Sequence, residues 1–99
     1  MGTSEAVELV HLYAKRVREE YPEARVVLFG SYADGTQNES SDIDVAVVLN
    51  KLEGDWLDSS AQLWRFTQGI SSLIEPVLLD AEQDKSGFVQ HVLKTGTVL

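Results

Sequence analysis

Ninety-nine residues bound the chain to one domain with one core, and 43% hydrophobic with 24% charged residues is a folding composition rather than a disordered one. Sixteen acids against eight bases leave a formal charge of −8, which argues against a passive nucleic-acid binder whose affinity comes from cations on phosphates. The absence of cysteine excludes disulfides, thiolate metal sites and a cysteine nucleophile, and the longest apolar run, residues 45–49, is far too short to span a membrane. Glu5 and Glu8 interrupt the apolar stretch that a signal peptide needs, so a soluble cytoplasmic domain, 1–99, is expected.

In chain order, Val7, Val10, Ala14, Val17 and Tyr21 follow helical spacing, with His11 on the same stripe. Thr3 or Ser4 is the expected cap, Glu5 suits the first turn, and Pro22 marks the end. Residues 25–29 are a short β-branched and apolar run that stops at Gly30, a strand. Residues 30–41 are turn chemistry. Residues 43–49 form a second strand, apolar enough to be buried on both faces. After a loop over 50–55, a helix is expected over about 56–72, with Leu63, Phe66, Ile70 and Leu73 as its stripe and Leu57, Ala61 and Trp64 beside it. A third strand over 73–79 contains Pro76, which has no amide to donate and so predicts an edge position or a local break. A last helix starts near Ser86, uses Phe88, Val89, Val92 and Leu93, and stops at Gly96. Strands alternating with helices predict an α/β (α+β) fold: a mixed sheet of three or more strands packed with helices.

The chemistry concentrates in residues 30–48. Gly30 at a strand end lets a ligand approach the backbone, and free amides at a helical turn opened by Ser31 would suit a phosphate. Asp42 and Asp44 are two apart, so strand geometry puts both carboxylates on one face. Adjacent carboxylates repel unless a cation lies between them, and a hard cation such as Mg²⁺ is the natural occupant. The second strand, the helix and the third strand form a βαβ unit, which is right-handed and parallel in nearly all cases. That topology brings Glu75 beside Asp42 and Asp44, in the same row as Val77 and Leu79. Three acids next to a Gly-Ser turn suit two divalent ions and a nucleoside triphosphate, and two-metal sites stabilise the attacking and leaving oxygens of an in-line displacement.

These residues resemble the nucleotidyltransferase superfamily of DNA polymerase β, and within it the minimal nucleotidyltransferases. The resemblance rests on Leu28-Phe29-Gly30-Ser31, on Ser41-Asp42-Ile43-Asp44 ten residues later, and on Glu75 in Ile-Glu-Pro-Val-Leu as the third acid. It covers most of the chain, from Val26 to about Gly96. It implies a polymerase-β-like core that transfers AMP from ATP, with pyrophosphate leaving. Asp42, Asp44 and Glu75 would be the catalytic, metal-binding acids for two Mg²⁺ ions, and Gly30 and Ser31 would hold the β and γ phosphates. It also implies a helical HEPN toxin as partner in a hetero-oligomer, neutralised by adenylylation of a tyrosine in a type VII-like toxin–antitoxin pair. One departure stands out: Asp34 lies where many relatives carry Arg or Lys. A non-catalytic antitoxin that covers its toxin, or a small-molecule transferase of the aminoglycoside type, are the alternative readings.

Other residues carry plainer expectations. An EF-hand over 42–53 fails because its sixth position is Val47 rather than Gly. His11 and His91 have no metal-ligand spacing and are read as helix-face residues. Trp56 and Trp64 are expected to pack helix on sheet, and Tyr32 either to pack or to stack on a base. Asp80, Glu82 and Asp84 suggest a solvated loop, with Asp80 the fallback third acid. Between residues 26 and 64 seven acids face one base, Lys51. Residues 30–38 and 50–55 are the expected partner contacts, and the isolated chain is expected to bind ATP weakly.

Overall fold

A computed structural model describes residues 2–38 and 40–99; Glu39, one of the seven acids just counted, lies outside the described residues. Helix α1 (Thr3–Glu20) buries Ala6, Val10, Tyr13, Ala14 and Val17. Two details differ from the periodicity. His11 is exposed, and the core position goes to Tyr13, whose phenol donates to the Leu63 carbonyl at 2.8 Å. That bond lets the whole ring be buried, and burial pushes the phenol pKa well up. Gly2, rather than Thr3 or Ser4, occupies the cap position, and no side chain caps the helix.

Strand β1 (Arg25–Phe29) runs antiparallel to β2 (Ile43–Leu49), with Phe29 opposite Asp44. The link between them contains the single-turn helix α2 (Ser31–Asp34). Strand β2 is buried on both faces after its first turn of chain, as its apolar run predicts. Helix α3 (Trp56–Arg65) is capped by Asp55, whose carboxylate accepts from the amides of Leu57 at 2.7 Å and Asp58 at 3.3 Å. It ends well short of residue 72. The chain turns through residues 66–70, where Gly69 takes φ +78°, a left-handed conformation that stops a helix.

Strand β3 (Ile74–Asp80) returns parallel to β2 and forms the sheet edge. The Ile43 amide donates to the Leu73 carbonyl at 2.8 Å. Parallel alternation then turns residues 73, 75, 77 and 79 toward β2, so the missing donor of Pro76 faces the open edge. A 3₁₀ turn (Ala81–Gln83) leads to α4 (Phe88–Thr95) and to β4 (Thr97–Val98), which pairs antiparallel with β1. This fourth strand is absent from the periodicity because two residues are too few to show one. The sheet order is β3-β2-β1-β4.

One sheet face carries Val26, Leu28, Ile43, Val45, Val47, Ile74 and Leu78 beneath α1 and α3. The other carries Val27, Ala46 and Val48 beneath Val89 and Val92 of α4. Tyr32 is 2% exposed and belongs to the first core, so it packs and is not free to stack on a base. Trp56 and Trp64 are each about half exposed and Leu57 more so, against the expectation that the tryptophans join helix to sheet. Among the described residues no helix is long and apolar enough to cross a membrane.

Candidate active site

The end of the sheet where β1 stops and β2 and β3 begin gathers the residues singled out by sequence. The β2–β3 register sets Asp44 directly beside Glu75. Alternation along β2 puts Asp44 on the face of Ala46 and Val48, away from α1 and α3. Asp42 stands just before β2, two residues from Asp44, rather than within the strand. Glu75 shares a row with Val77 and Leu79 on β3, and both Glu75 and Val77 are exposed.

The three carboxylates are electrostatically coupled. Burial first, and then the neighbouring Asp42, hold the Asp44 carboxyl above its ordinary pKa. Glu75 is raised chiefly by the charge of Asp42, then by desolvation, by Asp44 and by a hydrogen bond shared with Asp42. The part due to the neighbouring carboxylates is the cost of holding like charges together. Among the described residues no three His, Cys, Asp or Glu side chains stand ready to enclose a metal ion. The acids form an open row of hard oxygen donors.

Gly30 is positioned by this row. It takes φ +74°, and a Cβ on it would collide with the Asp44 carboxylate. Only glycine allows β1 to end so close to that side chain. The amides of Ala33 and Asp34 turn back to the Gly30 carbonyl at 3.1 and 3.0 Å. The first amides of α2, those of Ser31 and Tyr32, are left at the open end of the turn, as helical geometry requires. Asp34 is exposed at the end of the same turn.

Next to the row lies an aromatic pair that periodicity did not reveal as one. Phe29, opposite Asp44 in the ladder, meets Phe88 of α4 edge to face at 5.8 Å between centroids. The signal was present in the hairpin register, which already sets Phe29 against Asp44. One expectation does not hold here. Asp80 ends β3 at the other end of the sheet, where it accepts from the amides of Leu52 at 3.1 Å and Glu82 at 2.8 Å, so it is no substitute for Glu75. The 50–55 loop follows that same far end and borders a cavity of about 600 Å³ lined by Tyr21, Leu49, Asn50 and Lys51. It does not flank the carboxylates.

The fold and sequence have known counterparts. A solved structure from Sulfolobus solfataricus shares the fold with a TM-score of 0.60 and 24% identity, over 96% of this chain and 82% of that one. A mutant of the toxin–antitoxin MntA–HpeT contains a chain with a TM-score of 0.61 and 27% identity, over 87% of this chain and 67% of that one. The protein adenylyltransferase MntA of Shewanella oneidensis is 35% identical over 88 residues, 86% of this chain. The match spans 60% of the Shewanella protein's own length. The pattern common to nucleotidyltransferase domains runs through residues 11–94, a stretch that holds Gly30, Ser31, Asp42, Asp44 and Glu75. With that match across most of its length, the chain belongs to the nucleotidyltransferase domain family.

Proposed function

We propose that this chain, acting as one domain in the cytoplasm, transfers AMP from ATP to a hydroxyl, a tyrosine of a helical HEPN-type toxin, and so serves as that toxin's antitoxin. The observation that carries the reading is the register of Asp44 against Glu75, with Asp42 and the Gly30–Ser31 turn at the same end of the sheet. The adenylyltransferase named among the relatives, and the toxin–antitoxin assembly to which this fold is similar, support the choice of nucleotide and of partner.

Asp42 and Asp44 would hold Mg²⁺, two ions with Glu75 as a further donor. The all-oxygen row fits such ions, and Glu75, raised chiefly by the charge of Asp42, feels a repulsion that cations would relieve. When bound, such ions neutralise charge on the transferring phosphoryl group and on both the entering and leaving oxygens.

The protein's own part is placement and proton handling. Gly30 lets β1 end against the Asp44 carboxylate, and the Ser31 and Tyr32 amides at the start of the turn are the groups that would hold phosphate oxygens. The acceptor oxygen forms its bond to the α-phosphorus as the bond to the β-phosphate oxygen breaks and pyrophosphate departs. The acceptor's proton would pass to Glu75, an exposed carboxylate of the row. The carboxylate row lies on an open sheet face, so the acceptor must be held by the partner.

A mass spectrum of the co-expressed partner tests the reading. A tyrosine should gain one or more AMP units, and toxin should be neutralised substoichiometrically with ATP. Neutralisation that is strictly stoichiometric, independent of ATP and unaccompanied by a mass shift would show an antitoxin that works by covering its toxin. The exposed Asp34, a negative charge at the end of the turn that would meet the triphosphate, is the residue that favours this second outcome.

A further inference from the structure

Helix α4 lies on the sheet face that carries the carboxylate row, and its two flanks meet different ends of that face. Val89 and Leu93 border Arg25 and Ala81, at the end away from the row. Phe88 lies on the other flank, where it meets Phe29 edge to face, the ring centroids 5.8 Å apart and the planes at 82°. Phe29 is the ladder partner of Asp44. Cross-strand partners carry their Cβ atoms about 5 Å apart, so the Phe88 ring stands on the order of 10 Å from the Asp44 carboxylate. Phe88 is 38% exposed, while Val89 and Val92 of the same helix are buried.

The ring is held in place. Gly87 takes φ +77° and turns the chain into the helix. The Asp84 carboxylate accepts from the amides of Val89 at 2.9 Å and Gln90 at 3.2 Å, and the Ser86 hydroxyl accepts from the Phe88 amide at 3.3 Å. A fixed aromatic face loses little freedom when a second ring stacks on it.

The axis of the transfer proposed above, on which this assignment rests, selects that second ring. Strand order sets Glu75, Asp44 and the Phe29–Gly30 end of β1 side by side across the sheet. With the acceptor at Glu75 and pyrophosphate departing over the Gly30–Ser31 turn, the in-line axis runs across the strands. The other three oxygens on the α-phosphorus lie perpendicular to that axis, and one of them leads to the ribose. Along the strands the perpendicular runs one way off the end of the sheet and the other way to α4 and Phe88. We infer that the ribose is directed toward α4 and that the adenine base stacks on the exposed face of Phe88, with Phe29 bracing the ring from behind. The occupant is the nucleobase because Phe88 lies beside the in-line axis, about one ribose from the row. An acceptor tyrosine would lie on the axis, over β3.

Titration of the full chain with ATP and, separately, with inorganic tripolyphosphate, both in excess Mg²⁺, tests this by calorimetry and by proton NMR of the ligand. On binding, the adenine H8 and H2 resonances should move upfield, the ring-current mark of stacking. Phe88→Leu keeps apolar packing on Phe29 but has no aromatic face. It should raise the Kd for ATP about five- to tenfold, abolish the upfield shift and leave tripolyphosphate binding unchanged. Phe88→Trp should retain both the affinity and the shift. ATP bound to the wild-type chain without the shift overturns the assignment, as does a Phe88→Leu chain that weakens both ligands alike. A wild-type chain that binds neither ligand brings down the transfer reaction and the stack together. Binding of both ligands that neither substitution alters leaves the reaction standing and overturns the stack alone. If Phe88→Leu spares ATP and instead raises the KM for the toxin partner, the ring serves the acceptor and the nucleobase assignment is wrong.

Discussion

At the scale of single residues, Asp44 and Glu75 hold their protons longer in the folded chain than in the unfolded one. For an acid raised on folding, stability falls as pH rises through the raised value and is recovered in acid, where both states are protonated. Asp42→Asn removes a charge that raises both neighbours. It should therefore increase the melting temperature of the metal-free chain at neutral pH, and that advantage should vanish below the ordinary carboxylate range, near pH 3. A melting temperature that drops at neutral pH would mean that Asp42 is held by something other than like charge. The same residues are expected to be indispensable for chemistry: Asp42→Ala and Asp44→Ala should reduce transfer of labelled AMP to background while the far-UV spectrum stays native. Gly30→Ala acts on the same row by steric means. It forces a side chain into a left-handed conformation and against the Asp44 carboxylate, so a loss of about 1–3 kcal/mol in urea unfolding is expected together with loss of transfer.

At the scale of elements, the strands were the legible part of the sequence. β1 and β2 begin and end where the change from β-branched residues to Gly30 and Asn50 says they should. The parallel β2–β3 pairing followed from the handedness of a βαβ unit, and with it came the neighbourhood of Asp44 and Glu75. Helix α3 was less legible because it is apolar on two sides. Leu57 and Trp64 have the spacing of a core stripe, and spacing does not say which of two apolar stripes meets the sheet. Tyr13 was overlooked because a phenol reads as half polar until its partner, the Leu63 carbonyl fifty residues away, is known. The cap of α3 gives a local test. Asp55 serves two amides, so Asp55→Ala should cost about 1 kcal/mol by urea titration without altering AMP transfer, since it lies far from the carboxylate row.

At the scale of the whole molecule, helices protect one sheet face, while α4 alone leaves the carboxylate end of the other face open. An open face would hold nucleotide without excluding water or fixing an acceptor, and in-line transfer needs the acceptor oxygen within about 3–3.5 Å of phosphorus. The purified chain should accordingly bind ATP weakly and turn it over negligibly until the partner is added, as read by pyrophosphate release. Comparable release with and without partner would show that the chain completes its own site.

The pairing of Ile43 with Ile74 also fixes when during folding the carboxylate row comes into being. The two strands are joined only through the long excursion over α3, so their contact is non-local and its loop-closure entropy must be met before the pairing yields anything. Asp44 and Glu75 are strangers in the unfolded chain and meet as like charges at that closure. If β2–β3 pairing belongs to the folding nucleus, their repulsion is part of the kinetic barrier. Refolding of the wild-type chain should then quicken from neutral to mildly acidic pH while Glu75→Gln, which removes the charge that meets both Asp42 and Asp44 at closure, refolds at a rate that changes little over the same range, as stopped-flow fluorescence of Trp56 and Trp64 would record.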